Sequence, residues 1–313
     1  MAKHSSNMKA AVTCSFLLMM LMLAASARGS PILVTYWGQN GNEGTLSDTC
    51  QSGLYNVVIL SFLYIFGEGQ TPQLNLAGHC DPSSGGCQGL SSDISTCQGL
   101  GVRLLLSLGG GAGTYDLTDA SDATNVADYL WNYYLGGNPS GGAGDRPLGS
   151  AGLDGIDLDI EQGSGIAFYG ALLQALKNYD SGLVLSAAPQ CPFPDAHLGP
   201  DTPGSAVDSG LLDYVWVQFY NNPQCQYSSS SGDTSALLSS WNQWSSSLPS
   251  GSLLMGLPAS SDAAPSGGFI PSDTLISSVL PQIKTSSNYG GVMLYSRYYD
   301  GISGYGSSIK SSL

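Results

Sequence analysis

Leu153 to Gln162 reads L-D-G-I-D-L-D-I-E-Q, and its alternation decides how the surrounding chain must fold. Ile156, Leu158 and Ile160 interleave with Asp157, Asp159 and Glu161, the period-two pattern of a β-strand. Successive strand side chains point to opposite faces, so three acids share one wall and three large apolar residues cover the other. Asp154 stands out of that register and reads as structural. A solvated acidic edge strand or a calcium loop would be the competing explanation. A calcium loop, however, needs a sharp glycine turn and short polar spacers, and every spacer between Asp157 and Glu161 is large and apolar. Like charges on a partly dry wall cannot all ionise at their free values, so their titrations couple. General acid chemistry exploits that condition.

Apolar runs of strand length recur on both sides of this stretch. They are Ile32 to Trp37, Val57 to Leu63, Val102 to Leu108, Gly155 to Glu161, Leu183 to Ala187, Tyr214 to Tyr220, Leu253 to Leu257 and Gly291 to Tyr295. Helical spacing lies between them, clearest in Asp122 to Leu135, Ile166 to Tyr179 and Ser272 to Ile283, while the first and fifth helical segments are short and polar. Eight alternating units with buried strands and right-handed crossovers close into a (β/α)8 TIM barrel, and residues 28–313 suit one such domain. The stretches Gly67 to Gly89, Gly136 to Gly152 and Ser228 to Gly232 are rich in Gly, Ser and Pro and are expected as surface loops.

Met1 to Ala27 has the form of a secretory signal: Lys3 and Lys9, an apolar core from Ala10 to Leu23, and the small-residue site Ala25-Ser26-Ala27. That core is short for a membrane span. A secreted, extracellular protein follows, with the vacuole or another secretory compartment as the other destination. Without Lys3 and Lys9, seven of the nine basic side chains remain against 23 acidic ones, a net charge near −16. Nucleic acid is excluded as a partner, because phosphate binding needs clustered Lys and Arg. Cys14 departs with the signal, leaving Cys50, Cys80, Cys87, Cys97, Cys191 and Cys225, and three disulfides are the default in an oxidising compartment. Spacing alone leaves fifteen pairings open. There is no CxxC, His79 and His197 stand alone, and no Asn-x-Ser/Thr sequon occurs, so no metal site is expected.

In barrels of this kind the chemistry lies at the C-terminal ends of the strands. Glu161 is expected to end the fourth strand. Tyr36 and Gln39, Gly109 to Gly111 (with Gly110 and Gly111 as binding candidates), Gln218 and Tyr220, and Tyr295 end others on the same rim. Neither GxxxxGK[ST] nor a full GxGxxG is present, so the glycines suit close approach of a bulky ligand rather than a phosphate, and no cofactor is expected. An aromatic-lined mouth around carboxylates suits sugar rings, whose apolar faces stack while their hydroxyls accept hydrogen bonds. Ordinary glycosidases place carboxylates on both sides of the scissile bond. Here the acids come from one strand, so the facing nucleophile is missing from the motif.

Asp154-x-x-Asp157-x-Asp159-x-Glu161, with Ser107-x-Gly109-Gly110 upstream, resembles the family 18 glycoside hydrolases. More narrowly, Tyr36-Trp37-Gly38-Gln39-Asn40, Ala188-Pro189-Gln190-Cys191-Pro192 and Trp216-Val217-Gln218-Phe219-Tyr220-Asn221-Asn222 look like plant class III chitinases of the hevamine type. The resemblance implies a secreted endochitinase acting on β-1,4 links of chitin and N-acetylglucosamine oligosaccharides, with lysozyme-like side activity on peptidoglycan. It implies that Glu161 protonates the glycosidic oxygen while the substrate's own N-acetyl carbonyl attacks the anomeric carbon, with retention of configuration. By the same resemblance Asp159 orients the acetamide, Asp157 shares a proton with Asp159, and Tyr220 donates to the acetamide oxygen. It further implies the pairs Cys50–Cys97, Cys80–Cys87 and Cys191–Cys225, and cis peptides at Ser61-Phe62 and Tyr295-Ser296. At the end of the last strand the family usually carries Trp where this chain has Tyr295, at a cost on the order of 1 kcal/mol of ligand contact.

A monomer with no membrane partner is expected. Two other classes fit the same barrel. One is a weakly active chitin-binding or inhibitor-like protein, which Tyr295 favours and intact Glu161 disfavours. The other is an acidic protein storing loosely held calcium, suggested by net charge alone.

Overall fold

The computed structural model describes residues 30–140 and 142–313; the leader expected at Met1 to Ala27 lies outside the described residues. Eight parallel strands form the barrel: β1 (Ile32–Trp37), β2 (Val57–Phe66), β3 (Arg103–Gly109), β4 (Gly155–Asp159), β5 (Val184–Ala187), β6 (Tyr214–Gln218), β7 (Ser252–Pro258) and β8 (Tyr289–Tyr295). They pair in chain order. The β1 strand meets both β2, at Val34↔Val57, and β8, at Thr35↔Leu294, which closes the sheet and leaves no free edge between them.

Helices α1 (Leu46–Gln51), α2 (Leu90–Gly99), α3 (Ala120–Tyr134), α4 (Tyr169–Tyr179) and α5 (Ser235–Ser247) follow β1, β2, β3, β4 and β6. The two segments expected to be weak are weak. The six-residue α1 depends on a capping box, in which Thr45 accepts from the Asp48 backbone and Asp48 reaches back to the Thr45 N–H. Between β5 and β6 there is only a short 3-10 turn, Val207–Ser209. Between β7 and β8, Ser272–Thr274, a π turn over Leu275–Val279, and Leu280–Ile283 run on as one stretch. Among the described residues no helix is long and apolar enough to cross a membrane.

Two apolar layers result from the strand alternation. Val34, Ile59, Leu105, Trp216, Leu254 and Met293 fill the barrel interior. Ile156, Leu158 and Ile160 belong instead to the larger layer under the helices, with Leu130 of α3 and Leu173 and Leu176 of α4. Each such side chain, fully buried, contributes about 1.5–3 kcal/mol. Packing on its outer face therefore fixes β4 in register while its inner face is left to the acids.

The strand limits differ from expectation at the rim. β4 stops at Asp159 rather than Glu161, and β6 at Gln218 rather than Tyr220. For β4 the reason lies in β3, which turns away through Gly109 and Gly110 at φ of 107° and 85°. Gly110 N–H makes the last bond to Asp159 O, at 2.7 Å, so beyond Asp159 no β3 partner continues the ladder. Glu161 thus stands on the turn just above the strand.

Disulfides join Cys50–Cys97, Cys80–Cys87 and Cys191–Cys225. The first ties α1 to α2, the second staples the Gly67 to Gly89 loop, and the third links the loops after β5 and β6. Ser61-Phe62 and Tyr295-Ser296 are cis, as are Phe193-Pro194 and Gly199-Pro200. The Gly136 to Gly152 loop closes around Arg146, only 3 % exposed. Its guanidinium donates to the carbonyls of Asn132, Leu135, Gly137, Gly149 and Ala151. Backbone dipoles, not a carboxylate, satisfy that buried cation.

Candidate active site

Parallel register sets Asp157 directly between Ser107 of β3 and Ser186 of β5. Both serines donate to it, Ser107 Oγ to Oδ2 at 2.7 Å and Ser186 Oγ to Oδ1 at 2.8 Å. Tyr36, from β1 across the barrel, donates its hydroxyl to Oδ2 at 2.7 Å. The indole Nε1 of Trp216 donates to the Tyr36 oxygen at 3.1 Å, which leaves the phenol proton free to point at Asp157. Asp157 is fully buried, and among the described residues no cation pairs with it. Burial raises its pKa and the hydroxyl donors pull back, burial winning.

Asp159 is the next acid up the wall. Gln218 donates Nε2 to its Oδ1 at 2.9 Å and bridges to Ala188 O at 2.9 Å. Beside it in register is Gly109, where an added Cβ would fall 2.2 Å from Asp159 O, so only glycine fits. Burial, then the charges of Glu161 and Asp157 on either side, push Asp159 well above the carboxylate range, against the Gln218 bond.

Glu161 is anchored by its backbone: its N–H donates to Tyr115 Oη at 3.1 Å, and that hydroxyl donates to Gly110 O at 2.7 Å. Its carboxyl stands half-buried at the mouth, above Asp159. Burial raises its pKa, and the second cause is Asp195. Glu161 and Asp159 oppose each other's ionisation as like-charged neighbours, and Asp195 adds its charge from the loop after β5. Asp195 is buried and accepts from the backbone N–H groups of Gln190, His197 and Leu198. Nothing in its own surroundings in the sequence marks it, since it lies outside the alternating strand and within a proline-rich loop.

The acids open into a trough of about 280 Å³. Of the residues expected there, Asp159, Glu161, Tyr36, Gly111, Gln218, Tyr220 and Tyr295 line it. Asp157 lies beneath, behind Tyr36. Tyr220 is buried, and desolvation together with the Asp159 charge keeps its phenol protonated as a donor. Tyr295 is half-buried, its ring centroid 5.9 Å from that of Tyr36. Gln39 and Gly110 are not brought into the trough wall. Gln39 donates to Ser61 O of β2 at 2.6 Å and to Asn75 O at 3.2 Å, tying the turn after β1 to both. Gly110 lies under Phe62, whose ring an added Cβ would approach to 3.0 Å.

Phe62, Gln190, Asn221, Asn222, Ala263 and Met293 complete the wall, and sequence reasoning did not single them out as site residues. Position would have found three of them: Gln190, Asn221 and Asn222 sit just past strand ends. Phe62 and Met293 are inside strands and read as core. Among the described residues no group of three or more His, Cys, Asp or Glu side chains is placed to hold a metal ion.

A closed parallel barrel with a column of buried acids beneath an aromatic trough defines the class: a glycoside hydrolase. The chain belongs to the glycosyl hydrolases family 18, whose pattern matches residues 32–267. Among curated relatives it is similar to acidic endochitinase SE2 of Beta vulgaris, 57% identical over 309 residues, covering 96% of this chain and 98% of the relative. Among solved structures it is similar to the ICChI chitinase of Ipomoea carnea, at 47% identity and a TM-score of 0.83 over 90% of this chain and 100% of that one. It is similar as well to the xylanase and alpha-amylase inhibitor protein XAIP-II of Scadoxus multiflorus, at 40% identity and a TM-score of 0.82 over 91% of this chain and 100% of that one.

Proposed function

We propose that this chain is an endochitinase that cleaves β-1,4 links between N-acetylglucosamine units with retention of configuration, the substrate serving as its own nucleophile. One observation carries the mechanism. Both carboxylates that reach the trough, Asp159 and Glu161, come from the same wall, and the other lining residues are aromatics, amides, Met293 and the small Gly111 and Ala263. A two-carboxylate mechanism needs an acid on each side of the bond. With none facing Glu161, the attacking group must arrive with the ligand, and the acetamido carbonyl of N-acetylglucosamine is the group at hand.

In this reading Glu161, held protonated by burial and the Asp195 charge, gives its proton to the glycosidic oxygen. As that bond breaks, the acetamido oxygen bonds to the anomeric carbon and a cationic oxazolinium ring forms. Asp159 orients the acetamide nitrogen and balances the developing charge, with its proton drawn toward Asp157 at that moment. Tyr220 donates to the acetamido oxygen. Water, losing a proton to the Glu161 carboxylate, then opens the ring from the face the leaving group vacated. Tyr295, next to Tyr36, supplies the floor on which the sugar stacks. Secretion directed by Met1 to Ala27, action as a monomer and a lysozyme-like side activity belong to the same proposal.

The test is product release from chitohexaose by wild type and Glu161→Gln, with the anomeric form of fresh product read by proton NMR. Turnover lost in the variant and β-product from wild type support the mechanism; α-product refutes it. A binding or inhibitor-like protein, favoured by the similarity to XAIP-II, would hold chitohexaose and release nothing in either form.

A further inference from the structure

Beyond Asp159 the segment that carries Glu161 has no β3 partner in the ladder, yet it is held against the β3 loop at several points. The holding residues are Tyr115 and Asp116, at the end of and just after the short strand Thr114–Tyr115, which pairs with Ile65 and Phe66 of β2. Asp116 accepts from the backbone N–H groups of Ser164 and Gly165, each at 2.7 Å. Gln162 Nε2 donates to Gly113 O at 3.0 Å. These bonds hold the turn that follows the acid. Tyr115 holds the acid's own residue, accepting the Glu161 N–H at 3.1 Å.

That hydroxyl has one arrangement open to it. A carbonyl can only accept and an N–H can only donate, so the phenol proton goes to Gly110 O, at 2.7 Å, and a phenol lone pair takes the Glu161 N–H. The ring is equally confined. It is buried, stacks on Phe66 with centroids 5.2 Å apart and planes 6° from parallel, and lies against Gly109, where an added Cβ would come 3.2 Å from Tyr115 Cζ. One oxygen therefore joins the backbone of Glu161 to the glycine turn beside it. The two sides are close, since a Cβ added to Gly111 would stand 3.3 Å from Glu161 Oε2. Gly111 and Glu161 line the trough, whereas Tyr115 lies behind its wall.

We propose that Tyr115 is a positioning residue for proton transfer, its hydroxyl setting where the Glu161 carboxyl meets the leaving oxygen. This rests on the chitinase reading above. The anchor is on the backbone of Glu161 itself, so slack there passes directly to the carboxyl, and a displacement of about 1 Å can cost about a hundredfold in rate. A leaving group that departs without a proton has no need of that placement. The cost of losing the hydroxyl therefore depends on what leaves.

The experiment compares chitotetraose, whose leaving sugar needs a proton, with a dinitrophenyl β-glycoside of diacetylchitobiose, whose leaving phenolate does not, for wild type and Tyr115→Phe. Phenylalanine keeps the stack on Phe66 and removes one oxygen. The kcat/KM, which reports the steps up to departure of the leaving group, should fall about ten- to hundredfold for chitotetraose and stay within about threefold of wild type for the dinitrophenyl glycoside. The ratio of the two values is read on one preparation, so it does not depend on how much of the variant is folded. Equal losses on both substrates, complete loss through misfolding included, would overturn the assignment, because Tyr115 would then serve the fold alone. A larger loss on the dinitrophenyl glycoside, or no loss on either, would overturn it too. Failure of wild type to turn over both substrates would instead strike the chitinase reading, and the assignment with it.

Discussion

Replacing Tyr36 with Phe removes one oxygen from a site where that oxygen does two jobs. It donates to Asp157 Oδ2 at 2.7 Å and accepts from Trp216 Nε1 at 3.1 Å, and all three side chains are buried. The ring keeps its shape, so little cavity forms. Loss of a hydrogen bond to a charged acceptor costs about 1.5–3 kcal/mol, and the orphaned indole N–H adds about 1–3 kcal/mol. Because one hydroxyl makes both contacts and the two losses overlap, about 2–4 kcal/mol is expected at pH 7–8. The sign with pH follows from Asp157. Its folded pKa is already raised by burial, and removing a donor to the carboxylate raises it further. A group of raised folded pKa contributes its full stability below the unfolded value, about 4, and loses it as pH climbs through the folded value. The variant should therefore lie closer to wild type at pH 4 than at pH 8. Urea unfolding of both proteins at the two pH values, with disulfides intact, measures this directly. A difference under about 0.5 kcal/mol at both would refute the view that neutral hydroxyls hold the Asp157 charge.

Two further outcomes follow from the same electrostatics. Asp159→Asn should abolish turnover yet stabilise the fold, with the gain growing as pH rises above about 4, by up to roughly 1.4 kcal/mol per unit while the folded acid holds its proton and the unfolded one does not; calorimetry across pH 4–8 reads it, and a gain that shrinks with pH would contradict the raised pKa. Asp195→Asn removes the charge that helps lift Glu161, so the alkaline limb of kcat/KM for chitotetraose should move to lower pH, and an unmoved limb would detach Asp195 from the proton on Glu161.

The barrel was legible because its signal is periodic and local. Ile156, Leu158 and Ile160 point to the helical layer and Asp157 and Asp159 to the interior, as alternation requires. The departures came where tertiary contacts decide. Glu161 leaves its strand because β3 turns away at Gly109 and Gly110, a fact of the neighbouring strand and not of its own. Gln39 lies two residues beyond the end of β1, and the carbonyls of Ser61 in β2 and of Asn75 capture its amide. Asp195 was invisible for the converse reason. Three backbone N–H groups gather round it only once the loop has folded. Patterns along a strand can be read from spacing, whereas what a loop side chain touches depends on which other loops arrive beside it.

The two-faced β4 strand has a consequence for assembly of the fold. A slip of one residue in its pairing would turn Ile156 and Leu158 inward and drive Asp157 and Asp159 into the dry layer beneath α3 and α4, where no hydroxyl waits for them. The same acids that serve chemistry thus act as a proofreading mark during folding: only the register that brings Ser107 and Ser186 alongside Asp157 can shelter them.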